Sequence, residues 1–162
     1  MPATTDWQQK AFAGIWVWLF PLTYLAHVAE EYWGGFYRWV ARIVGGELAA
    51  EQFLGLNAIF WLVMTAAIAF AFWSRAADWL VIALGTAVLI NGAAHVIGSV
   101  FTRSYSPGAV TGLLLWIPLG AFTLRRAWHY LPRSSLIAGV LVGITLHALV
   151  LLNALNAVRR DG

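Results

Sequence analysis

Long apolar stretches separated by short polar ones dominate this chain. A transmembrane helix needs about 20 predominantly apolar residues, and five stretches of this chain reach that length. The pattern therefore predicts an all-α, polytopic membrane helix bundle that forms a single domain over residues 1–162. The predicted spans cover residues 12–33, 53–73, 79–101, 107–128 and 135–158.

The connections between the predicted spans carry many of the charges. Four of them lie among the apolar residues of segment 34–52: Arg38, Arg42, Glu47 and Glu51. This mixture predicts a short interfacial amphipathic helix between the first two spans, broken at Gly45–Gly46. Arg75 and Asp78 bracket a tight connection before the third span, and Pro132 breaks the chain before the fifth. Close helix packing is expected at two glycine pairs, Gly108/Gly112 and Gly139/Gly143.

The composition supports a membrane protein. Hydrophobic residues make up 61% of the chain and charged residues 10%, whereas an ordinary soluble domain is about 25% charged. The ten tryptophans suit the aromatic belts at the two bilayer surfaces. The lipid bilayer is thus an expected partner. A net charge of only +3 predicts no binding to nucleic acid.

The cysteine content, the length of the first span and the distribution of positive charges bear on possible metal ligands, processing and orientation in the membrane. The chain contains no cysteine, which excludes disulfides and thiolate metal sites. The first span is expected to stay in the protein, because it is longer than a signal-peptide core and no small-x-small cleavage site follows it. Positive charges divide equally between the two faces of the predicted bundle. The arginine cluster within 125–133 slightly favours a cytoplasmic position for the face that holds the N-terminus.

Polar side chains interrupt the apolar spans. They are His27, Glu30, Glu31, Asn57, Asn91, His95, His147 and Asn153. With a rise of 1.5 Å per residue and spans that alternate in direction, all of them fall in the same half of the bilayer. Ionisable groups in a bilayer are costly and mark functional sites by default. The sequence therefore predicts one functional site in that half.

The helical spacing of these residues suits a metal. His27 precedes Glu30 and Glu31 by three and four residues, so either carboxylate can share its helix face. Helix bundles build metal sites from such histidine and carboxylate side chains. Histidines with one or two carboxylates match a catalytic zinc site that keeps one position for water. The predicted ligands of zinc, or of another divalent metal, are His27, Glu31, His95 and His147.

Some of these assignments have a structural alternative. His95, with Asn91 one turn away, is also compatible with a core histidine that is hydrogen-bonded between helices. His147 stands alone in an apolar span, and a structural role fits it equally well. Asn57 and Asn91 are expected to line the substrate pocket, although Asn57 also suits an interhelical hydrogen bond.

A second motif, Tyr105-Ser-Pro-Gly108, precedes the fourth span. Ser106 is pushed out of helical geometry by the proline that follows it. Pro107 is preset for the first turn of a helix, so the span is expected to begin sharply there. The Tyr105 hydroxyl then either points into the polar site as a proton donor or orienting group, or anchors the chain at the membrane interface.

Three motifs in this order resemble the HxxEE-motif family of bacterial integral membrane proteins. They are His27-Val-Ala-Glu-Glu31, a further histidine at His95, and Tyr105-Ser-Pro-Gly108. The resemblance runs from the first predicted span to the fourth. It implies a bacterial inner-membrane location and marks the motif residues as a site, but it brings no established activity. It does not mark His147.

These observations lead to a metal-dependent membrane hydrolase as the first hypothesis. Its substrate is expected to be an apolar or lipid-like small molecule. Glu30, Glu31 and Tyr105 are the candidate catalytic groups, with one carboxylate as metal ligand and the other as general base for water.

Two other hypotheses stay open. One is a metal-free acid–base isomerase of a lipid or terpenoid, in which the adjacent carboxylates hold unlike pKa values. The other is a proton-coupled carrier or a protein that binds a small ligand. The lack of an inverted repeat argues against a carrier.

Overall fold

A computed structural model describes residues 12–46, 48–74 and 77–160 of the chain. These residues form helices and no strands. A 3-10 turn at Ile15–Trp18 precedes α1 (Leu19–Gly34), which is followed by α2 (Phe36–Val44), α3 (Ala50–Trp73) and α4 (Asp78–Thr102). Helix α5 is continuous but contains three segments: Ala109–Thr111, a π-helical segment Gly112–Trp116, and Ile117–Tyr130. Helix α6 covers Arg133–Arg160. The predicted all-α bundle is confirmed.

Three of the described helices are long and apolar enough to cross a membrane. They are Ala50–Trp73, Asp78–Thr102 and, within α6, Arg133–Asn153. The protein is therefore a membrane protein. Helix α1 has only 16 residues and α5 is interrupted by its π-helical segment, so neither belongs to this group. The count of five spans stays a prediction.

Helix α4 lies at the centre of the bundle and packs most extensively against α5 and α6. Glycines allow both contacts to be close. A Cβ added to Gly112 would lie 3.0 Å from the Cα of Gly92, and one added to Gly143 would lie 2.5 Å from the carbonyl oxygen of Ala83. Backbones that approach this closely leave no room for larger residues. The predicted packing role of Gly112 and Gly143 is confirmed.

The short interfacial helix is also present. Helix α2 buries Val40 and Ala41 and exposes Arg38 and Arg42. It ends at Gly45, where φ is +80°, and the next glycine also has a positive φ of +134°. Glycine reaches this region without the steric cost that other residues incur, which explains the break.

The structure differs in detail from the prediction at the connections before α3 and before α5, and some of the predicted loop residues lie outside the described residues. Glu51 belongs to the first turn of α3, not to the interfacial helix. Helix α5 begins at Ala109, two residues after Pro107, because Gly108 adopts a left-handed conformation with φ +100° between them. Glu47 and Arg75 lie outside the described residues.

Candidate metal and catalytic site

Two histidines and one glutamate meet in the interior of the bundle. The Oε1 atom of Glu31 lies 3.5 Å from Nε2 of His27 and 3.2 Å from Nε2 of His95. All three residues are buried, with exposed fractions of 1% for His27, 5% for Glu31 and 5% for His95. One ligand atom from each lies within 4.8 Å of the other two.

The local helix geometry explains this meeting. His27 and Glu31 are one turn apart on α1, so they share a face, and α4 brings His95 to that face. The turn before α5 passes directly over both imidazoles at Gly108. A Cβ added there would lie 2.8 Å from Cε1 of His95 and 2.9 Å from Cε1 of His27. The spacing of Gly108 and Gly112 predicted helix packing, and the family resemblance marked Gly108 as a motif residue; the structure places it against both histidines.

Hydroxyl groups hold the other nitrogen of each imidazole. Nδ1 of His27 is 2.7 Å from Oγ1 of Thr111, and Nδ1 of His95 is 3.1 Å from Oγ of Ser106. When Nδ1–H donates to these hydroxyls, the lone pair of each Nε2 is left free on the side of Glu31. Histidine ligands of metals commonly donate their second N–H in this way.

The donor set fits a metal ion such as zinc. Two atoms that each lie about 2.1 Å from a tetrahedral zinc are separated by about 3.4 Å, which is close to the 3.2 Å and 3.5 Å found here. Nε2 of His27 is buried and has no hydrogen-bond partner among the described residues. A buried nitrogen of this kind is costly unless something binds it.

Aromatic rings fix the orientation of the two imidazoles. The Trp116 ring stacks on His27 with a centroid distance of 3.6 Å and an interplanar angle of 24°. The Phe36 ring of α2 lies 5.0 Å from the ring of His95. These contacts cover the site with apolar surface, which strengthens electrostatic interactions within it.

The neighbouring carboxylate, Glu30, binds the start of α5. Its oxygens accept hydrogen bonds from the backbone N–H groups of Gly108 at 3.0 Å, Val110 at 2.9 Å and Thr111 at 2.7 Å, and from the Tyr105 hydroxyl. Unpaired N–H groups at a helix start favour a negative charge. Glu30 therefore ties α1 to the loop and helix that carry Ser106 and Thr111.

Glu30 and Tyr105 lie apart from the buried cluster. The expectation that both carboxylates share one pocket with His27 and His95 is wrong for Glu30, which lies outside the cavity described below. Tyr105 is 53% exposed and also lies outside that cavity. Partial burial, and then the hydrogen bond and negative charge of Glu30, raise the pKa of Tyr105 to about 12. The phenol therefore stays a donor to Glu30 at neutral pH.

A cavity of about 570 Å³ adjoins the cluster. Asn57, Asn91 and His147 line it together with His27, Glu31 and His95. The polar residues of four predicted spans thus surround one space. Asn57 accepts a 2.8 Å hydrogen bond from the Tyr24 hydroxyl, which matches the interhelical role. His147 lines the cavity without belonging to the group of three ligand atoms, so its role as a ligand stays a prediction.

Sequence reasoning missed Thr111 as a site residue, gave Ser106 only a conformational role, and did not place Trp116 against His27. Ser106 lies inside the Tyr105–Gly108 motif, so the sequence could have identified its hydroxyl as a candidate site group. Thr111 and Trp116 lie in a predicted apolar span, and no local sequence pattern assigns them to the histidine cluster. Only the packing of α5 against α1 assigns them to the site.

Comparison with protein-family models matches residues 18–123 to a family described as proteins of unknown function with an HXXEE motif. This range contains both histidines of the cluster, both glutamates of the motif and the Tyr105–Gly108 turn. No curated protein and no solved structure shows significant similarity to the chain.

Proposed function

This chain belongs to the family of proteins with an HXXEE motif, and we propose that it is a membrane-embedded, metal-dependent hydrolase of a lipid-like substrate. The convergence of two imidazole nitrogens and one carboxylate oxygen at a buried point carries the proposal. His27, His95 and Glu31 would hold the ion, and zinc suits a two-histidine, one-glutamate set. Bound there, the ion would polarise a substrate carbonyl and make water easier to deprotonate.

The protein's own residues supply the rest of the chemistry. Thr111 and Ser106 hold the imidazoles with Nε2 facing Glu31. Glu30 keeps both hydroxyls in place through the start of α5 and acts as a positioning residue. This role replaces that of general base, because its oxygens already accept hydrogen bonds from four donors.

His147 lines the cavity without belonging to the cluster, and we assign it the proton-transfer role. In the hydrolysis of an ester, the oxygen of water bonds to the carbonyl carbon and the bond to the alcohol oxygen breaks. His147 takes the proton from water and returns it to the departing alcohol. A His147→Gln protein that keeps its metal would support this role, and one that loses its metal would assign His147 as a ligand.

The surroundings suggest the partners. The cavity is lined mainly by apolar side chains, which suits an apolar small molecule dissolved in the bilayer. We place the protein in the bacterial inner membrane, with lipid as its solvent and source of substrate.

A metal-free acid–base isomerase of a lipid or terpenoid is the second candidate. It is favoured by one observation: Oε1 of Glu31 lies near both imidazoles, an arrangement that can also hold a proton. In that case the cluster moves a proton between two carbon atoms of the substrate, and no ion is required.

Metal analysis of the purified protein decides between the two. Wild-type protein that has not been exposed to a chelator is expected to contain about one metal ion per chain. His27→Ala and His95→Ala should lose it, whereas His129→Ala should keep it, because His129 is exposed at the end of α5. A folded wild type without metal would support the isomerase. Full occupancy in both site variants would refute the proposed ligands.

A further inference from the structure

The cavity beside the cluster is a long slot between helices. Helix α4 forms its floor, and α3 and α6, which scarcely touch each other among the described residues, form its two walls. Helix α2 closes the end nearest the cluster with Phe36, Trp39 and Val40. Along the floor, the lining residues extend from Trp79 to His95, a distance of about 24 Å at 1.5 Å per residue.

The dimensions of the slot limit what can occupy it. The slot has a volume of about 570 Å³ and extends over about 24 Å along α4, so it is much longer than it is wide. This elongated shape suits a single extended chain.

The chemistry of the lining changes along the slot. One end holds His27, Glu31 and His95. Asn91 follows one turn away on α4, and its buried Oδ1 has no partner among the described residues. Beyond it the lining is apolar, with Met64 and Ala67 on α3 and Ala83 on α4. An occupant that matches this gradient has one polar end and one long hydrocarbon tail.

The slot opens sideways. Val63 of α3 is 60% exposed and Leu146 of α6 is 39% exposed, yet both line the cavity. Each belongs to a helix that is long and apolar enough to cross a membrane. The gap between these helices therefore faces the hydrocarbon of the bilayer.

We infer that the slot binds a single-chain amphiphile, of the long-chain acyl or isoprenoid class, that enters sideways between α3 and α6. Its polar end lies at His27, Glu31 and His95, and its tail extends along α4 toward Trp79. This inference rests on the proposed function for the identity of the reacting end, but the binding of the chain itself does not require a metal.

Photolabelling in lipid nanodiscs tests the orientation. The probes are two long-chain alcohols, one with a diazirine next to the hydroxyl and one with a diazirine at the tail end. The first should label peptides around His27, Phe36 and His95. The second should label peptides around Met64 and Ala83. Labels spread evenly over the outward faces of α3 and α6, or cross-links between two copies of the chain, would overturn the inference.

Two neighbouring alanines on α3 provide a matched control. Ala67 lines the slot, whereas Ala66 is exposed and lies outside it. Ala67→Phe should reduce labelling by the tail probe at least about tenfold, the ratio that corresponds to a loss of about 1.4 kcal/mol, and Ala66→Phe should leave labelling unchanged. Equal labelling in both variants would refute the slot. Metal content, measured on the same samples, reports separately on the proposed catalytic site.

Discussion

Adjacent residues of one motif have different tasks in this protein. Neighbouring side chains on a helix point about 100° apart, so Glu30 and Glu31 face different elements. Glu31 faces His27 and His95, whereas Glu30 faces the start of α5. The motif thus supplies one carboxylate, Glu31, to the cluster and another, Glu30, to the start of α5, which orients the cluster.

Glutamine substitutions should separate these tasks. Glu31→Gln is expected to lower metal content, because a neutral amide is a poor ligand and the charge that balances the ion is lost. Glu30→Gln should keep most of the metal but lower the thermal stability, since charge-assisted hydrogen bonds contribute about 1.5–3 kcal/mol each. Metal content and apparent melting temperature of the two purified variants provide the measurement. Equal metal loss in both would contradict this division.

The hydroxyl that holds His27 is also open to a test. Thr111→Val keeps the shape of the side chain but removes the 2.7 Å hydrogen bond to Nδ1. Metal affinity should fall roughly 10- to 100-fold, the usual effect of losing the group that orients a ligand. Thr145→Val is the matched control, because Thr145 is exposed on α6 and, within the described part of the chain, its hydroxyl donates to the carbonyl of Leu141. Equilibrium competition with a metal-binding dye measures both, and an unchanged affinity for Thr111→Val would rule out the orienting role.

At the scale of elements, α5 organises the site more than any other helix. The backbone N–H groups of its first turn donate hydrogen bonds to Glu30, Trp116 at the end of its π-helical segment stacks on His27, and Gly108 precedes it with a positive φ. Single π-helical turns often occur at functional sites. The irregular start of α5, which weakens it as a transmembrane segment, is the part that contacts the cluster.

Replacing Gly108 should therefore be far more harmful than replacing another glycine. In Gly108→Ala, the new Cβ would collide with both imidazoles, and an alanine in the left-handed region costs about 1–2 kcal/mol. We expect loss of metal and a lower melting temperature. Gly55→Ala is the control, because no atom lies within 4 Å of its added Cβ. Alanine is more favourable than glycine in the interior of a helix by about 1 kcal/mol, so this variant should not be less stable. If Gly108→Ala retained metal and stability like the control, the packing of this turn on the histidines would be refuted.

At the scale of the whole molecule, the contacts fix the relative directions of the helices. Gly139 packs against Ile82, and Gly143 against Thr86, so α6 is parallel to α4. Gly120 packs against Leu89, and Gly112 against Gly92, so α5 is antiparallel to α4. Because α4 and α6 run in the same direction, the chain between them has to return across the bilayer. An α5 that crosses the bilayer would provide this return and would be the fourth of the five predicted spans.

Labelling of single cysteines tests that crossing. The chain has no native cysteine, so Ser104→Cys and Ser134→Cys, at exposed positions before and after α5, can be labelled without background. In sealed vesicles of one orientation, a membrane-impermeant maleimide should modify one variant before lysis and the other only after it. Modification of both from the same side would show that α5 does not cross the membrane and would refute the five-span topology.

Much of this protein is determined by local sequence. The helices of the bundle, the break at Gly45–Gly46 and the presence of a carboxylate on the helix face of His27 follow from apolar length, glycine conformation and helical spacing, each of which acts within a few residues. The order of the motifs also indicated that His95 belongs with His27.

The division of the two glutamates, the orienting hydroxyls and the slot were decided only by tertiary structure. Glu30 bonds to Thr111, 81 residues further along the chain, and no local pattern encodes a contact of that separation. Spacing alone allowed either carboxylate to face His27, and the position of α4 and α5 selected Glu31. The slot exists because α3 and α6 both pack on α4 without closing on each other, which is a property of the whole bundle and of no single helix.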